Sequence, residues 1–207
     1  MKKMRLIAAV LSAFLIAGCT QPAPAEETDF KLTDVYTELA EDNSFTVIGK
    51  EDLKPLIENG TSVLFLGFPE CTWCQAYLPM LDDILKEQGA HAEYYNIYTD
   101  KSEDRPFYDE IAAMIDAKDE SILSYGSDGK RVIYMPLVLF LDGGELIGFD
   151  HETCTEDSSV IKPEEYWTEE KKSAFVQRMT EYVSQIKAAQ DAINAKGCDN
   201  HGCKVGD

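Results

Sequence analysis

The sequence predicts a mixed α/β domain whose central sheet carries helices on both faces. The first observation is the apolar run at 62–68, which has the length of a strand and is typical of one buried on both sides. The second is the alternation of such runs with segments of helical period. The third is a pair of apolar runs within 135–149 that flank Asp142, Gly143 and Gly144, which indicates a β-hairpin.

Strands and helices are predicted to alternate up to this hairpin, and a long helix follows it. Strands are predicted at 45–50, at 62–68, at 92–98 and twice within 135–149. Helices are predicted at 51–60, at 71–89, at 106–117 and at 168–193. Gly60 and Gly89 mark two of the helix ends, because glycine is favoured just past the last helical turn.

The last helix carries an apolar stripe that we expect to pack against the sheet. The residues of this stripe are Phe175, Val176, Met179, Val183 and Ile186. A groove for a partner protein is the alternative use of such a stripe.

The first residues are typical of an export signal. Three basic residues within the first five precede an apolar run at 6–17, which is well short of the roughly 20 residues that span a bilayer. The end of this segment at Cys19 resembles the lipobox of bacterial lipoproteins, and the resemblance implies that Cys19 carries a lipid. An ordinary secretory signal with a chance cysteine is the alternative.

The signal segment, the predicted strands and helices, and the cysteines near residue 200 divide the chain into four parts. We predict a signal peptide at 1–18, a tether and N-terminal extension at 19–43, the folded domain at 44–195 and a cysteine-containing tail at 196–207. The protein is then expected outside the cytoplasm, anchored to a bacterial membrane through the lipid on Cys19. Thiols can be oxidised there, so the five cysteines beyond Cys19 can form disulfides, with at least one left over.

The composition is strongly acidic. The 38 Asp and Glu residues outnumber the 19 Lys and Arg residues, for a formal net charge of −19. This charge argues against nucleic acid or an anionic membrane surface as a binding partner. A soluble, well-hydrated exterior is its simplest cause.

Cys71 and Cys74 stand between a buried strand and an amphipathic helix. Cys71 is predicted at the N-terminus of that helix, where free backbone N–H groups and the helix dipole stabilise a thiolate. Such positions lower the thiol pKa from about 8.5 to roughly 3.5–7.5. Cys74 lies one turn further on and could attack a mixed disulfide formed by Cys71, which would release the substrate.

This arrangement resembles the thioredoxin superfamily over residues 44–190. Pro79, five residues after Cys74, matches the proline of the thioredoxin helix. Pro136 matches the cis-proline that opens a strand, and Gly144 and Glu145 match the hairpin that follows. The resemblance implies a thioredoxin-like fold with a long C-terminal helix and a cis bond before Pro136.

The resemblance also implies a substrate groove beside the cysteine pair. Its expected residues are Pro136, Met135, Trp73, Phe68 and Pro69. Met135 would offer main-chain hydrogen bonds to the substrate, and the other side chains would give an apolar rim.

Four residues near the pair depart from the thioredoxin pattern or affect the expected chemistry. Phe65 stands where thioredoxin buries an aspartate, so water or another acid would have to move the proton of Cys74. Glu70 could raise the pKa of the Cys71 thiol by charge repulsion, or could be a plain surface residue. The Thr72-Trp73 dipeptide gives a weaker resemblance to bacteriocin-transport accessory proteins.

The segment 102–131 is an insertion relative to a minimal thioredoxin and is expected to carry a helix before the cis-proline strand. It could form a wall of the substrate site or be a decoration.

In the tail, Cys198 and Cys203 are expected to form a structural disulfide; a second redox pair or a metal site with His201 are the alternatives. Cys154 is expected to pair with one of these two cysteines rather than bind metal.

The expected function is an extracytoplasmic, membrane-anchored thiol–disulfide oxidoreductase that acts on protein thiols or disulfides. Cys71 would be the attacking thiol and Cys74 the resolving one, and they would form the redox disulfide. We expect no cofactor and no metal, since zinc at this pair would need further cysteine or histidine ligands at matching spacing. The alternative is a thioredoxin-fold accessory or binding protein of a secretion system, in which the disulfide is only structural.

Overall fold

A five-stranded mixed sheet forms the centre of the fold in a computed structural model that describes residues 30–153 and 161–195. The strands are β1 (Phe45–Val47), β2 (Ser62–Leu66), β3 (Ala92–Tyr95), β4 (Ser124–Tyr125), β5 (Arg131–Val132), β6 (Leu137–Asp142) and β7 (Glu145–Asp150). The order in the main sheet is β1-β3-β2-β6-β7, with β1, β3 and β2 parallel and β6 and β7 antiparallel to their neighbours. β4 and β5 form a separate small hairpin.

Helices cover both faces of the main sheet. They are α1 (Lys50–Asn59), α2 (Thr72–Gln88), α3 (Ile97–Glu103), α4 (Arg105–Lys118), α5 (Pro163–Tyr166) and α6 (Glu169–Ala195), preceded by a 3-10 turn at Leu32–Asp34. α2 and α6 share one apolar cluster with the sheet, and α1 and α4 share the other. The predicted mixed α/β architecture with helices on both faces is confirmed.

The central strand β2 shows why both faces are covered. Val63 and Phe65 point into the cluster of α2 and α6, whereas Leu64 and Leu66 point into the cluster of α1 and α4. All four side chains are fully buried, as the continuous apolar run predicted.

The predicted helix boundaries are close to those observed, but three strands are shorter than predicted. β2 ends at Leu66 rather than at residue 68. β1 ends at Val47 rather than at residue 50. β3 ends at Tyr95 rather than at residue 98, because the Asn96 side chain accepts a hydrogen bond from the Tyr98 N–H at 3.2 Å and caps α3. Tyr98 therefore lies on a helix and not on a strand.

Part of the predicted N-terminal extension belongs to the folded domain. Leu32, Tyr36 and Leu39 are buried in the cluster of α2 and α6, and the Tyr36 hydroxyl is hydrogen-bonded to the Tyr94 hydroxyl at 3.1 Å. The compact unit begins at Lys31. The domain boundary predicted at residue 44 was therefore too late, because short apolar segments without helical or strand period give no signal in the sequence.

The stripe of α6 packs against α2 and the sheet through Phe175, Met179, Val183 and Ile186, which are all fully buried. Val176 was wrongly included, since its side chain is 44% exposed. One residue along an α-helix turns the side chain by about 100°, which carries residue 176 off the face that residue 175 occupies.

The insertion at 102–131 contains the predicted helix, which is α4, and the unpredicted hairpin β4–β5. Several predictions concern residues outside the described ranges. They are the signal peptide at 1–18, the lipidation of Cys19, the pairing of Cys154, and, in the tail at 196–207, the Cys198–Cys203 disulfide and the alternative metal site at His201. Within the described ranges, no helix combines the length and the apolar character that a bilayer crossing requires.

Candidate active site at the Cys71 and Cys74 thiols

Cys71 is the N-cap residue of α2, directly after the loop that leaves the central strand β2. Its Sγ accepts a hydrogen bond from the Cys74 backbone N–H at 3.1 Å. Both cysteines are free thiols, and Cys71 is 8% exposed while Cys74 is fully buried. Cys71 therefore keeps a small exposed fraction, whereas Cys74 keeps none.

The two thiols have opposite pKa shifts. The hydrogen bond from the Cys74 thiol lowers the pKa of the Cys71 thiol, and the backbone N–H groups of Cys74 and Trp73 act in the same direction, against the effect of burial. Burial raises the pKa of the Cys74 thiol far above its usual range, and its hydrogen bond to Cys71 adds to the shift. Cys71 is therefore the group that ionises first.

The loop before β6 meets the cysteine pair. The Cys71 thiol donates to the Met135 carbonyl oxygen, with 3.6 Å between Sγ and O, and the Met135–Pro136 peptide bond is cis, as predicted. Residues 64 positions apart in the chain thus line one site.

The expected apolar rim is only partly exposed. Phe68 and Pro69 are half-buried, and the ring of Phe68 stacks on the ring of Tyr98 with 4.2 Å between centroids. Trp73 is only 9% exposed, because the ring of Tyr166 packs edge-on against it at 5.3 Å. Trp73 therefore lies under α5 instead of standing at the rim.

The sequence did not indicate Tyr98 or Tyr166 as site residues. Tyr98 was assigned to the predicted strand, and Tyr166 belongs to α5, whose four residues are too few for a helical period to be visible. Tyr134 is exposed beside Met135 and could have been found from its position next to the predicted groove.

The floor of the site is aromatic. Phe65 is fully buried, and its ring stacks on that of Tyr94 with 5.9 Å between centroids. A Cβ at Gly67 would lie 2.4 Å from the Phe65 ring and 3.2 Å from Cys74 Sγ, so only glycine fits between them. Burial raises the pKa of the Tyr36 and Tyr94 hydroxyls, so both keep their protons.

Glu70, directly before the pair, is exposed to solvent, which agrees with its interpretation as a surface residue. Among the described residues, no three His, Cys, Asp or Glu side chains converge in an arrangement that could hold a metal ion.

A cavity of about 400 Å³ opens beside the pair. Its lining consists of Trp73, Ile122, Tyr134, Met135 and Tyr166, together with the polar residues at 121, 124 and 151–153. We call it the active-site cavity.

A polar network lies behind one wall of this cavity. The Tyr166 hydroxyl donates to Glu152 Oε1 at 2.9 Å, and Arg178 binds the other oxygen of Glu152. Arg178 Nε also donates to Asp150 Oδ2 at 2.7 Å, and the Tyr77 hydroxyl donates to Asp150 Oδ1 at 2.8 Å. The network thus connects α6, the end of β7 and α5.

A comparison of the sequence with models of known protein families finds no match. The site itself combines a thiol of lowered pKa at a helix N-terminus with a second, protonated thiol within hydrogen-bond reach of it.

Proposed function

We propose that this protein is a membrane-anchored, extracytoplasmic thiol–disulfide oxidoreductase with a thioredoxin-like fold, and that it acts on protein thiols or disulfides. The observation that carries the proposal is the geometry at the N-terminus of α2: Cys71 caps the helix, its Sγ accepts the Cys74 N–H at 3.1 Å, and the Cys74 side chain is fully buried. A nucleophilic thiolate at Cys71 and a buried thiol at Cys74 are what two-step disulfide exchange requires.

The fold assignment is supported by the order of the elements around the pair. The central strand β2 leads into the cysteines and α2, and the loop of Met135 and Pro136 opens β6 beside them. The β6–β7 hairpin and the long helix α6 follow, as the resemblance to thioredoxins implies.

In the first step, the Cys71 thiolate attacks one sulfur of a substrate disulfide. A bond forms between Cys71 Sγ and that sulfur, the substrate S–S bond breaks, and the other sulfur leaves as a thiolate. In the second step, Cys74 attacks Cys71 Sγ and its proton passes to the departing substrate sulfur. The substrate gains two electrons, and the protein is left with a Cys71–Cys74 disulfide.

The first step also prepares Cys74 for the second. Two contributions that raise the pKa of the Cys74 thiol come from Cys71: their hydrogen bond and the thiolate charge. Both disappear once Cys71 is in a mixed disulfide, so only burial still opposes ionisation of Cys74. Because Phe65 occupies the floor of the site, the proton acceptor proposed here is the departing sulfur rather than a buried carboxylate.

Trapping of mixed disulfides tests this proposal. Cys74→Ser lacks the resolving thiol and is expected to accumulate adducts through Cys71, whereas Cys71→Ser is expected to trap little because its remaining thiol is buried and protonated. Each variant is expressed, free thiols are alkylated, and adducts are counted on non-reducing gels. Equal trapping by both variants would reject the assigned roles.

The same pair of variants separates the enzyme from an accessory protein of a secretion system. The enzyme is supported if the wild-type protein turns over disulfides and Cys71→Ser does not. Unchanged export and partner binding in that variant, with no turnover in the wild type, would instead support a structural disulfide.

The membrane anchor is a separate part of the proposal and rests on the lipobox-like end of the first segment at Cys19. Cys19→Ala should move the protein from the membrane fraction to the soluble fraction. Membrane association that persists in this variant would contradict a lipid on Cys19.

A further inference from the structure

The active-site cavity is lined by immediate neighbours of the cysteine pair. Met135 lines the cavity, and its carbonyl oxygen is 3.6 Å from Cys71 Sγ. Trp73, which lies between the two cysteines in sequence, lines it as well. Its volume of about 400 Å³ lies within the range of roughly 300–1,000 Å³ that is usual for ligand pockets. A substrate whose sulfur reaches Cys71 is therefore next to an opening large enough for one of its side chains.

Two of the cavity walls come from segments outside the strand–helix unit that carries the cysteines. Ile122 and Ser124 belong to the insertion at 102–131, so this insertion borders the cavity. Tyr166 comes from α5. The insertion and α5 thus complete a cavity whose other wall is formed by Trp73 and Met135 beside the cysteines.

The Tyr166 wall is held in place by the polar network. Its hydroxyl is bound to Glu152, and its ring packs edge-on against Trp73. Glu152 is in turn bound by Arg178. A wall fixed by several contacts loses little side-chain freedom when a ligand binds, which favours a selective site.

The charges at the cavity point to an uncharged ligand. Among the described residues that line it, His151 and Glu152 have side chains that can carry a charge. Both carboxylate oxygens of Glu152 already have partners, Tyr166 and Arg178, so a ligand would have to compete with these contacts to bind this group. The other lining residues are aromatic, aliphatic or hydroxyl-bearing, and burying a charged side chain against them would be unfavourable.

We propose that this cavity receives a large uncharged side chain that is adjacent to the substrate cysteine attacked by Cys71. This inference rests on the proposed function and gives it a substrate class: polypeptides in which an aromatic or large aliphatic residue flanks the reactive cysteine. Tyr134, Tyr166 and Ile122 determine the preference.

A series of chromogenic peptide disulfides tests this preference. Each peptide has one cysteine blocked by thionitrobenzoate and differs from the others only in the flanking residue: Tyr, Leu, Gly, Arg or Asp, on either side. When reduced protein attacks the peptide sulfur, thionitrobenzoate leaves; Cys74 then displaces the peptide thiol and forms the protein disulfide. The second-order rate of thionitrobenzoate release should be about tenfold higher for Tyr or Leu than for Gly, since part of a large apolar side chain is buried, and no higher for Arg or Asp than for Gly.

Two exposed tyrosines provide the matched variants. Tyr134 lines the cavity and is 63% exposed, whereas Tyr125 on the β4–β5 hairpin is 58% exposed and is not part of the lining. Because both are exposed, neither substitution should prevent folding. Tyr134→Ser should reduce the ratio of the Tyr to the Gly peptide rate toward one, and Tyr125→Ser should leave the ratio unchanged.

The outcomes separate the two proposals. If every peptide reacts at the same rate, or if Tyr125→Ser changes the ratio as much as Tyr134→Ser does, the cavity does not select the flanking side chain, although the oxidoreductase proposal stands. If no peptide reacts with the reduced wild-type protein while Cys71 remains open to alkylation, the proposed function fails and this inference fails with it.

Discussion

The Cys74 backbone N–H donates a hydrogen bond to Cys71 Sγ at 3.1 Å, so the sulfur of the proposed nucleophile is also the cap of helix α2. Serine or aspartate normally accepts this bond from the third residue of a helix. A thiolate is a stronger acceptor than a thiol, because hydrogen bonds to charged groups are the stronger ones. Ionisation of Cys71 and capping of α2 therefore support each other.

Replacing Cys74 tests which donor matters most for Cys71. Cys74→Ala removes the thiol that lowers the pKa of Cys71 but keeps the backbone N–H, whereas Cys74→Ser keeps a side-chain donor. The pKa of Cys71 should be higher in the alanine variant than in the serine variant. The rate of iodoacetamide alkylation at Cys71, measured against pH, reports the thiolate fraction.

The direction in which the alkylation curve shifts follows from the pKa of the Cys71 thiol, because only the thiolate reacts with iodoacetamide. Alkylation rises with pH through the pKa of Cys71 and then levels off, so the midpoint in Cys74→Ala should lie at higher pH than in Cys74→Ser. Identical midpoints would mean that the backbone N–H groups and the helix dipole alone set the pKa of the Cys71 thiol.

The two glycines of the β6–β7 hairpin should respond very differently to alanine. Both have positive φ, but a Cβ at Gly144 would lie 1.8 Å from the Glu58 carbonyl oxygen, whereas a Cβ at Gly143 would meet nothing within 4 Å. Gly143→Ala should cost about 1–2 kcal/mol in the free energy of unfolding through backbone strain alone. Gly144→Ala should cost at least about 3 kcal/mol, because the backbone of the hairpin or of α1 must also move.

Urea denaturation of the two variants measures this difference. Equal losses of stability would show that the hairpin can move away from α1 at little cost. The Gly144 N–H also donates to the Gly60 carbonyl at 2.8 Å, so such a movement would break a hydrogen bond between the hairpin and the end of α1.

The sequence was most informative where local chemistry decides the structure. The position of Cys71 at the start of a helix follows from its place after a buried strand and before an amphipathic run, and the boundary at Gly89 follows from helix termination. The proximity of Met135 to Cys71 could be expected only from the resemblance to thioredoxins. No local rule relates residues that far apart.

Contacts made by tertiary structure alone were not predictable. Tyr166 reaches Trp73 because Glu152 and Arg178 hold it there, and none of these residues stands near Trp73 in sequence. The N-terminal segment was likewise missed, because Leu32 and Tyr36 are buried only once α2 and α6 have formed the surface that covers them.

The misassigned residue on α6 gives a direct comparison of two apolar side chains. Met179 is fully buried in the cluster of α2 and α6, whereas Val176 is 44% exposed beside the buried stripe. Met179→Ala should lower the free energy of unfolding by about 2–5 kcal/mol, since it leaves a cavity in the core. Val176→Ala should change it by less than about 0.5 kcal/mol.

Thermal and urea unfolding of these two variants, each compared with the wild type, provide the measurement. A large loss for Val176→Ala would indicate that the exposed side of α6 packs against a second molecule in solution. Sedimentation of the wild-type protein would then show that association directly.

The last prediction concerns the carboxylate at the centre of the polar network. Asp150 is 6% exposed and accepts hydrogen bonds from the Tyr77 hydroxyl, Arg178 Nε and the Glu152 N–H. Asp150→Ala removes all three bonds at once and leaves the buried Tyr77 hydroxyl with only a weak sulfur partner in Met179. The free energy of unfolding should fall by about 2–4 kcal/mol.

Asp191 on the same protein is the matched control, because it forms an ion pair with Lys187 within α6 but is largely exposed. Asp191→Ala should have little effect, since exposed ion pairs are screened by water and salt. If both variants lose the same small amount, the Asp150 network contributes no more than a surface pair does. Asp150→Ala should instead lose more stability, and Cys71 should be alkylated faster or Trp73 should be quenched more readily. That result would show that the network also holds Tyr166 over the site, because the ring of Tyr166 covers Trp73. Neither residue of the Asp191 pair contacts Trp73, so Asp191→Ala should change neither readout.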